Sequence, residues 1–233
     1  MIKNIDLFQS FHYQRHNRRR QEHLASLCLP ISGKTVLEVG AGIGDHTSFF
    51  VDRQCSVTST DGRPELLEIL QFNNPKAKIC LWDVEKSPPV GLMPAQIVYA
   101  YGLLYHTQVP DLVLSHLSGL CTEMLLLETC VSYGSEKLIH VTQEALNDPT
   151  QALAGSGCRP TRIWVFEQLK KFFPYVYVTK SQPWHEEFPI DWATLKVEGS
   201  GGLLSRSVFI ASRFPIDNDY LSTDLSDLQV RTL

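Results

Sequence analysis

A glycine-rich turn near the start of the chain constrains the fold more than any other feature. It consists of Glu38-Val39-Gly40-Ala41-Gly42-Ile43-Gly44, which begins at the end of a strand-like run over 34–39 and precedes a helical stretch over 47–53. Glycines at such a turn let the backbone bend sharply and approach a ligand, while the N–H groups of the following helix face that ligand. A dinucleotide-binding turn would have its third glycine at position 45, where this chain has Asp45, with the glycine at 44 instead. A plain tight turn between a strand and a helix is the alternative.

Short strand-like runs alternate with helical stretches along the chain. The spacing of apolar and β-branched residues predicts strands over 34–39, 55–60, 77–82, 96–101, 123–128, 175–179 and 207–211, and helices over 47–53, 64–70, 111–120 and 161–173. Pro64 opens its helix in the first turn, where a proline is favourable. Strands that alternate with helices predict a mostly parallel sheet covered on both faces.

Composition excludes several classes of protein. The 233 residues are 43% hydrophobic and 20% charged, which is typical of a globular chain with a sizeable core. A formal net charge of −4 argues against a general nucleic-acid binder, and no apolar run is long enough to cross a membrane. Without the apolar stretch of a secretory signal, the chain is expected to be cytoplasmic, with its six cysteines reduced and no evident metal-binding cluster.

Two aspartates close the second and third predicted strands. Asp61 ends the second strand, where a carboxylate can accept hydrogen bonds from both hydroxyls of a ribose. Asp83 follows Trp82 at the end of the third strand, and the pair offers an acceptor for an exocyclic amine beside a stacking face. An aspartate alone at such a position is more often a helix cap or a turn residue. Together with the glycine turn they predict a ligand site, because ligands of such sheets bind at the carboxyl ends of the strands.

This combination resembles the class I S-adenosylmethionine-dependent methyltransferases. Residues 36–44 match the first motif of that superfamily, and the resemblance extends over about 34–130. It implies a Rossmann-like, seven-stranded, mostly parallel sheet with helices on both faces and an antiparallel last strand, and S-adenosyl-L-methionine as the cofactor. By position it also implies which residues surround the methionine part, the ribose and the adenine of the cofactor. These residues are Glu38, Gly40, Ala41, Gly42, Gly44, Asp61, Gly62, Trp82, Asp83 and Tyr101.

Two short segments are similar to a narrower group, the transfer-RNA wobble-uridine carboxymethyltransferases. They are Gly102-Leu103-Leu104-Tyr105-His106 and Leu127-Glu128-Thr129-Cys130-Val131. The large N-terminal extension and the basic surface of those enzymes have no counterpart in this sequence.

Two histidines are candidates for a general base. His106 follows the fourth predicted strand at its ligand-facing end and titrates near neutral pH, although a histidine that caps the next loop is the alternative. His185 lies in Gln182-Pro183-Trp184-His185, where Trp184 and its neighbours predict either a fixed substrate wall or a structural packing loop.

The candidate acceptor-binding residues come from three further places. Tyr105 precedes His106, and Glu128 ends the fifth predicted strand. Arg159 and Arg162 flank Thr161, a predicted helix N-cap, and can clamp a carboxylate or phosphate of the acceptor. Salt bridges at the sheet edge, including one from Glu128 to these arginines, are the alternative.

The ends of the chain differ in charge. Residues 1–33 include the basic stretch 11–20 and are predicted to form a helical lid in which Tyr13 and an arginine reach the cofactor; a small RNA-contact patch and a solvated helix face are the alternatives. In a helix, Arg18 can pair with Glu22. The methyltransferase domain is predicted over 34–214, with insertions at 131–160 and 181–205 that shape the acceptor pocket. The acidic tail over 215–233 is expected to be mobile, rather than to pack on a sheet edge or in a homodimer.

The sequence thus predicts an S-adenosylmethionine-dependent enzyme that O-methylates a small polar acceptor, such as a sugar or a biosynthetic intermediate. An RNA-modifying methyl- or carboxymethyltransferase and a catalytically silent partner subunit of the same fold are the alternatives.

Overall fold

A mixed eight-stranded sheet organises the chain, which was analysed as a computed structural model that describes residues 5–194 and 204–232. The middle of the predicted insertion at 181–205, residues 195–203, lies outside the described residues, as do residues 1–4 and 233. The strands are β1 Thr35–Val39, β2 Ser56–Asp61, β3 Lys78–Leu81, β4 Ala95–Tyr101, β5 Cys121–Cys130, β6 Ile139–Gln143, β7 Ser156–Pro160, β8 Tyr175–Thr179, β9 Ser181–Gln182, β10 Arg206–Ser212, β11 Leu221–Ser222 and β12 Val230–Arg231. The helices are α1 Phe11–Ser26, α2 Thr47–Val51, α3 Pro64–Asn73, α4 Pro110–Gly119 and α5 Arg162–Phe172, with 3₁₀ turns at Ile5–Leu7 and Leu104–His106.

The strand order confirms the predicted α/β architecture. In the large sheet the order is β11-β8-β10-β5-β4-β1-β2-β3, and the first five strands of the chain, β1 to β5, run parallel to one another. Strand β10 lies between β5 and β8 and is antiparallel to both, as predicted for the last strand of a Rossmann-like methyltransferase sheet. The sheet has one strand more than the predicted seven, because β11 from the tail pairs with β8.

Helices bury both faces of this sheet. Strand β4 shows this directly, because Ile97 and Val98 are both fully buried but point into different cores. Ile97 packs in the core that contains Leu24 of α1 and Phe50 of α2, whereas Val98 packs with Leu114 of α4. Strands buried on both faces are expected to be continuously apolar, which is why short runs without alternation were sufficient to locate them.

Helix α1 carries part of the predicted N-terminal lid. Ser10 caps it by accepting a hydrogen bond from the Tyr13 N–H. Arg20 is buried against the rest of the protein, while Arg18 is exposed. Glu22 pairs with Arg19 at 2.6 Å, and no described ion pair joins it to Arg18, the partner expected from the sequence. The basic stretch therefore divides into one buried charge and a solvated face.

The acidic tail is ordered, contrary to the expectation that it is mobile. Strand β11 pairs with the edge strand β8, and β12 pairs with β9. Gln229 is buried and accepts hydrogen bonds from the side chains of Gln182 and Trp192 at 3.1 and 2.7 Å. The unpaired backbone groups of an edge strand require partners, and the tail supplies them. Strands of two residues have no side-chain period, so the sequence gives no signal for them.

Two simpler expectations can be compared with the described residues. All six cysteines are free, as predicted, although Cys28 is exposed. Among the helices that the structure describes, none has the length and apolar character needed to cross a membrane.

Candidate active site

A cavity of about 280 Å³ opens at the carboxyl ends of β1 to β4. Ligand pockets of about 300–1,000 Å³ are typical of small-molecule sites, and the ends of parallel strands are a usual place for them. The structure brings most of the predicted site residues together around this cavity. Those that line it are Tyr13, Gly40, Gly42, Asp61, Gly62, Trp82, Asp83, Tyr101, Tyr105, His106 and Arg159.

Asp61 fixes the glycine turn to the end of the second strand. Its Oδ2 accepts the Gly42 N–H at 2.9 Å, and its Oδ1 accepts the Arg63 N–H at 2.9 Å. Gly42 has a φ of +57°, a conformation in which side chains are unfavourable. A carboxylate oxygen has two lone pairs, so each oxygen of Asp61 retains one for a ligand. Burial raises the pKa of Asp61.

A smaller annex of about 30 Å³ adjoins the cavity and is lined by Glu38 and Ala41. Three buried polar atoms of its wall have no hydrogen-bond partner among the described residues: Arg20 Nε, Tyr101 Oη and His46 Nε2. Buried polar groups without partners are uncommon in folded proteins and indicate a missing ligand or water. The annex therefore suits the charged end of an amino acid.

Glu38 and Gly44 have structural contacts close to the annex. Glu38 Oε2 accepts the hydroxyls of Thr47 and Ser59 at 2.6 and 2.7 Å, and burial raises the pKa of Glu38 to about 7. Gly44 lines neither the cavity nor the annex. A Cβ at Gly44 would lie 2.7 Å from Leu70 Cγ of α3, so this glycine permits close packing of α3 on the turn.

The opposite end of the cavity is formed by Trp82 and Asp83. Trp82 is buried, and its indole N–H donates to the Lys86 carbonyl at 3.0 Å. Asp83 accepts the Glu85 N–H at 3.1 Å, which fixes the turn after β3. Leu153, from the predicted insertion at 131–160, lies directly over Gly62. This insertion thus covers the end of the site that Trp82 and Asp83 form.

His106 has a carboxylate partner that the sequence did not reveal. Its Nδ1 is hydrogen-bonded to Glu144 Oε2, and Glu144 Oε1 lies 3.4 Å from the Arg159 guanidinium. Burial lowers the pKa of His106, and Glu144 partly opposes that shift. For Glu144, burial acts to raise the pKa, but the hydrogen bond with His106 and its other contacts outweigh it and lower the pKa. The imidazole is therefore neutral near pH 7 and held in one orientation beside the cavity.

A buried network of charges supports the wall next to Tyr105. Glu128 is fully buried and binds the guanidinium groups of Arg20 and Arg206. Arg206 also donates to Glu187 Oε2 at 2.6 Å and to the Tyr105 hydroxyl at 3.0 Å. Glu128 was predicted to bind the acceptor or to pair with Arg159 or Arg162, but it lies beneath the wall and pairs with Arg20 and Arg206. The two buried cations are balanced by two carboxylates.

Three further predicted residues, besides Gly44 and Glu128, lie outside both the cavity and the annex. Arg162 donates to the Ser226 carbonyl at 2.7 Å and lies over the Trp192 ring, and burial lowers its pKa to about 10. Trp184 is 55% exposed and does not line the cavity. His185 is buried behind the cavity wall, and burial lowers its pKa to about 4. Helical spacing predicted that α5 is amphipathic. It did not predict that Arg162, in the first turn of α5, packs against the C-terminal tail.

Several lining residues had not been named individually from the sequence, although an arginine of the stretch 11–20 was expected to reach the cofactor. They are His12, His16, Arg20, Glu187 and Arg206. The spacing of His12 and His16 by four residues, which places them on one helix face, was the one available signal. Glu187 lies in the second insertion and Arg206 directly follows it, and neither belongs to a local motif.

Comparison with known proteins gives a consistent picture of the fold. No protein-family profile matches the sequence. No curated protein matches it either. Among solved structures, the N-terminal domain of EvdMO1, crystallised in the presence of SAH and D-fucose, is 20% identical with a TM-score of 0.64, over 87% of this chain and 84% of that chain. The 1,6-didemethyltoxoflavin-N1-methyltransferase of Burkholderia thailandensis is 16% identical (TM-score 0.56, 89% and 80% covered). Magnesium protoporphyrin IX methyltransferase of Synechocystis PCC 6803, with bound SAM, is 11% identical (TM-score 0.54, 92% and 86% covered). At these identities the likeness is one of fold.

Proposed function

We propose that this chain, which has the fold of class I S-adenosylmethionine-dependent methyltransferases, binds S-adenosyl-L-methionine and methylates a hydroxyl group of a small polar acceptor. The observation that carries the proposal is the arrangement of the cavity. A carboxylate with free lone pairs, Asp61, lies beside the glycine turn, and an oriented neutral histidine, His106, also faces the cavity.

The residues around the cavity fit each part of the cofactor. Asp61 would accept the ribose hydroxyls, and Trp82 with Asp83 would enclose the adenine. The unpartnered Arg20 Nε and Tyr101 Oη of the annex would bind the methionine carboxylate. When bound, the cofactor supplies an electrophilic methyl group on a sulfonium. The task of the protein is then to hold an acceptor oxygen in line with that methyl group, at about 3 Å from its carbon.

His106 would take the proton from the acceptor hydroxyl. Its hydrogen bond to Glu144 through Nδ1 leaves Nε2 for the acceptor, and a positioned base of this kind contributes about 10²–10⁴-fold to the rate. The pKa of His106 is lowered by burial, so the imidazole is available in its basic form at neutral pH.

The rest of the wall fits a neutral acceptor with several hydroxyl groups. Tyr105, Arg159 and Arg206 offer hydrogen-bond donors, and the charges of Arg206 and Arg20 are already balanced by Glu128 and Glu187. A wall without excess charge discriminates by hydrogen-bond geometry. The presence of D-fucose in the crystals of the EvdMO1 domain also favours a sugar as the acceptor.

A test separates the base from the cofactor site. Turnover is measured as the release of S-adenosylhomocysteine (SAH) with a panel of monosaccharides as acceptors. The His106→Gln variant is compared with His140→Gln, which changes an exposed histidine of β6. We expect His106→Gln to lower turnover about 10²–10⁴-fold with nearly unchanged SAH affinity, and His140→Gln to retain full turnover. Equal turnover in the two variants would exclude His106 as the base.

A further inference from the structure

We propose that His16, His185 and Glu187 form a binding site for a divalent first-row transition-metal ion in the wall of the cavity. The three residues come from helix α1 and from the loop after β9, and all three are buried. The sequence predicted no metal site, because these ligands lie about 170 residues apart and share no motif.

The geometry of the three side chains favours a shared ion. One potential ligand atom from each residue lies within 4.8 Å of the others. His16 Nε2 is 3.7 Å from Glu187 Oε2, and the ring centroids of His16 and His185 are 4.7 Å apart. Ligand distances to zinc are about 2.0–2.2 Å, so small side-chain rotations would bring the three atoms onto one ion. Two histidines and one carboxylate, with open positions for other ligands, are a common ligand set for catalytic zinc.

One ring nitrogen of each histidine is buried without a hydrogen-bond partner among the described residues. Within the described part of the chain, neither His16 Nε2 nor His185 Nε2 has a hydrogen-bond partner, and the two side chains are only 5% and 0% exposed. Each such buried group destabilises the folded state if it stays unsatisfied. A metal ion would satisfy both nitrogens at once, whereas packing against each other satisfies neither.

The surroundings provide the outer contacts that metal ligands usually have. Arg206 donates to Glu187 Oε2 at 2.6 Å, and His12 Nε2 lies 3.2 Å from Glu187 Oε1. A carboxylate can accept these bonds and still ligate an ion, and such contacts hold a ligand in position. His12 also lies four residues before His16 on the same face of α1, the spacing with which helices present paired histidine ligands.

Coordination by His185 requires one local change. Its Nδ1 accepts the Glu187 N–H at 3.3 Å, so in the free protein the ring hydrogen is on Nε2. Ligation through Nε2 would move that hydrogen to Nδ1 and lengthen this contact, which is already long and therefore weak. Metal binding is thus expected to include a change of tautomer at His185.

The site faces the cavity, which suggests a role for the ion. His16 and Glu187 line the cavity together with Arg206 and Tyr105. Because Glu128 and Glu187 already balance the two buried arginines, a divalent ion would favour an anionic oxygen as its remaining ligand. This role rests on the proposed methyltransferase function: the ion would bind the acceptor hydroxyl and lower its pKa.

The test is a titration of the full chain with Co²⁺, without cofactor or acceptor, followed by calorimetry and by visible d–d absorption. We expect one ion per chain with nitrogen and oxygen ligands. His16→Ala, His185→Ala and Glu187→Gln should each weaken binding by more than about 100-fold, beyond the effect of outer contacts. Zn²⁺ at 100 times its dissociation constant should raise the Tm by about 5–10 °C.

Two control variants locate the site. His140→Ala removes an exposed histidine far from the site in sequence. Glu186→Gln removes the carboxylate of a second, more exposed candidate ligand group, which consists of His12, His185 and Glu186. Both should bind Co²⁺ as the wild type does. If His185→Ala does not unfold cooperatively, His185→Gln replaces it.

Three results would overturn the proposal. They are no binding in the wild type, binding that persists in His16→Ala and Glu187→Gln, and a thiolate charge-transfer band that assigns the ion to a cysteine. A fourth result, loss of binding in Glu186→Gln but not in Glu187→Gln, would place the ion on His12, His185 and Glu186 and would also overturn the proposal. SAH binding is measured separately, so a failure of the cofactor proposal is distinguishable from a failure of the metal site.

Discussion

The buried carboxylate of Glu128 is expected to be essential for stability, although it does not touch the cavity. Glu128 has no exposed surface, and the two arginines that it pairs with, Arg20 and Arg206, are each 5% exposed. Glu128→Gln keeps the size of the side chain but removes its charge. Arg206 would then keep Glu187, whereas Arg20 would lose its one carboxylate partner among the described ion pairs.

Breaking a buried ion pair by removing one partner costs about 3–5 kcal/mol, because the other charge stays buried. For a chain of this length, 1 kcal/mol corresponds to about 2–4 °C in Tm, so Glu128→Gln should lower the Tm by about 6–20 °C. The matched control is Glu123→Gln on the same strand, whose partner is Lys34; these side chains are 31% and 22% exposed. A partly exposed surface pair of this kind contributes about 0–1 kcal/mol.

Urea unfolding at pH 7, with both variants and the wild type under the same conditions, measures the difference directly. Arg20→Met in the Glu128→Gln background should recover part of the loss, because it removes the uncompensated charge of Arg20. Equal losses in Glu128→Gln and Glu123→Gln, or a further loss on adding Arg20→Met, would refute the argument.

Two further predictions concern the glycine turn and its carboxylate. Burial raises the pKa of Glu38 to about 7 from an ordinary value of 4.5. Between these two pH values the folded state retains a proton that the unfolded state loses. The free energy of unfolding should therefore fall by about 3 kcal/mol as the pH rises through this interval. Glu38→Gln should remove that dependence in urea unfolding at pH 5 and pH 8; a wild type and variant with parallel pH profiles would contradict it. Gly44→Ala should lower the free energy of unfolding by about 1–3 kcal/mol more than Gly91→Ala. Both glycines have a positive φ, so the backbone strain is similar. The new Cβ at Gly44 would lie 2.7 Å from Leu70 Cγ, whereas no described atom would lie within 4 Å of the Cβ at Gly91. Equal losses in thermal unfolding would exclude close packing as the reason for Gly44.

The parallel core of the fold could be predicted because its signals are local. Strand β4 and its neighbours are short apolar runs, Pro64 starts α3, and Thr161 caps α5 by accepting the Trp164 N–H. Asp61 and Asp83 could be assigned to one site because the carboxyl ends of parallel strands share an edge.

The acceptor side of the site could not be predicted in the same way. Glu128 lies 108 residues from Arg20, and Glu144 lies 38 residues from His106 in a hairpin with a polar sequence. These pairs form because burial makes an isolated charge costly, and any charge of opposite sign that the fold brings near can be the partner. The sequence pattern specifies which residues are buried, but not which buried charges meet.

The account depends most directly on the cofactor, and a thermal-shift titration with SAH tests it. We predict that SAH at 100 times its dissociation constant raises the Tm by about 5–10 °C and that NAD has no effect. Asp61→Asn should weaken SAH binding by about 10- to 100-fold, because it removes the ribose contact. An equal shift with NAD, or no shift with SAH, would contradict the account. The second result would instead favour a catalytically silent protein with a methyltransferase fold.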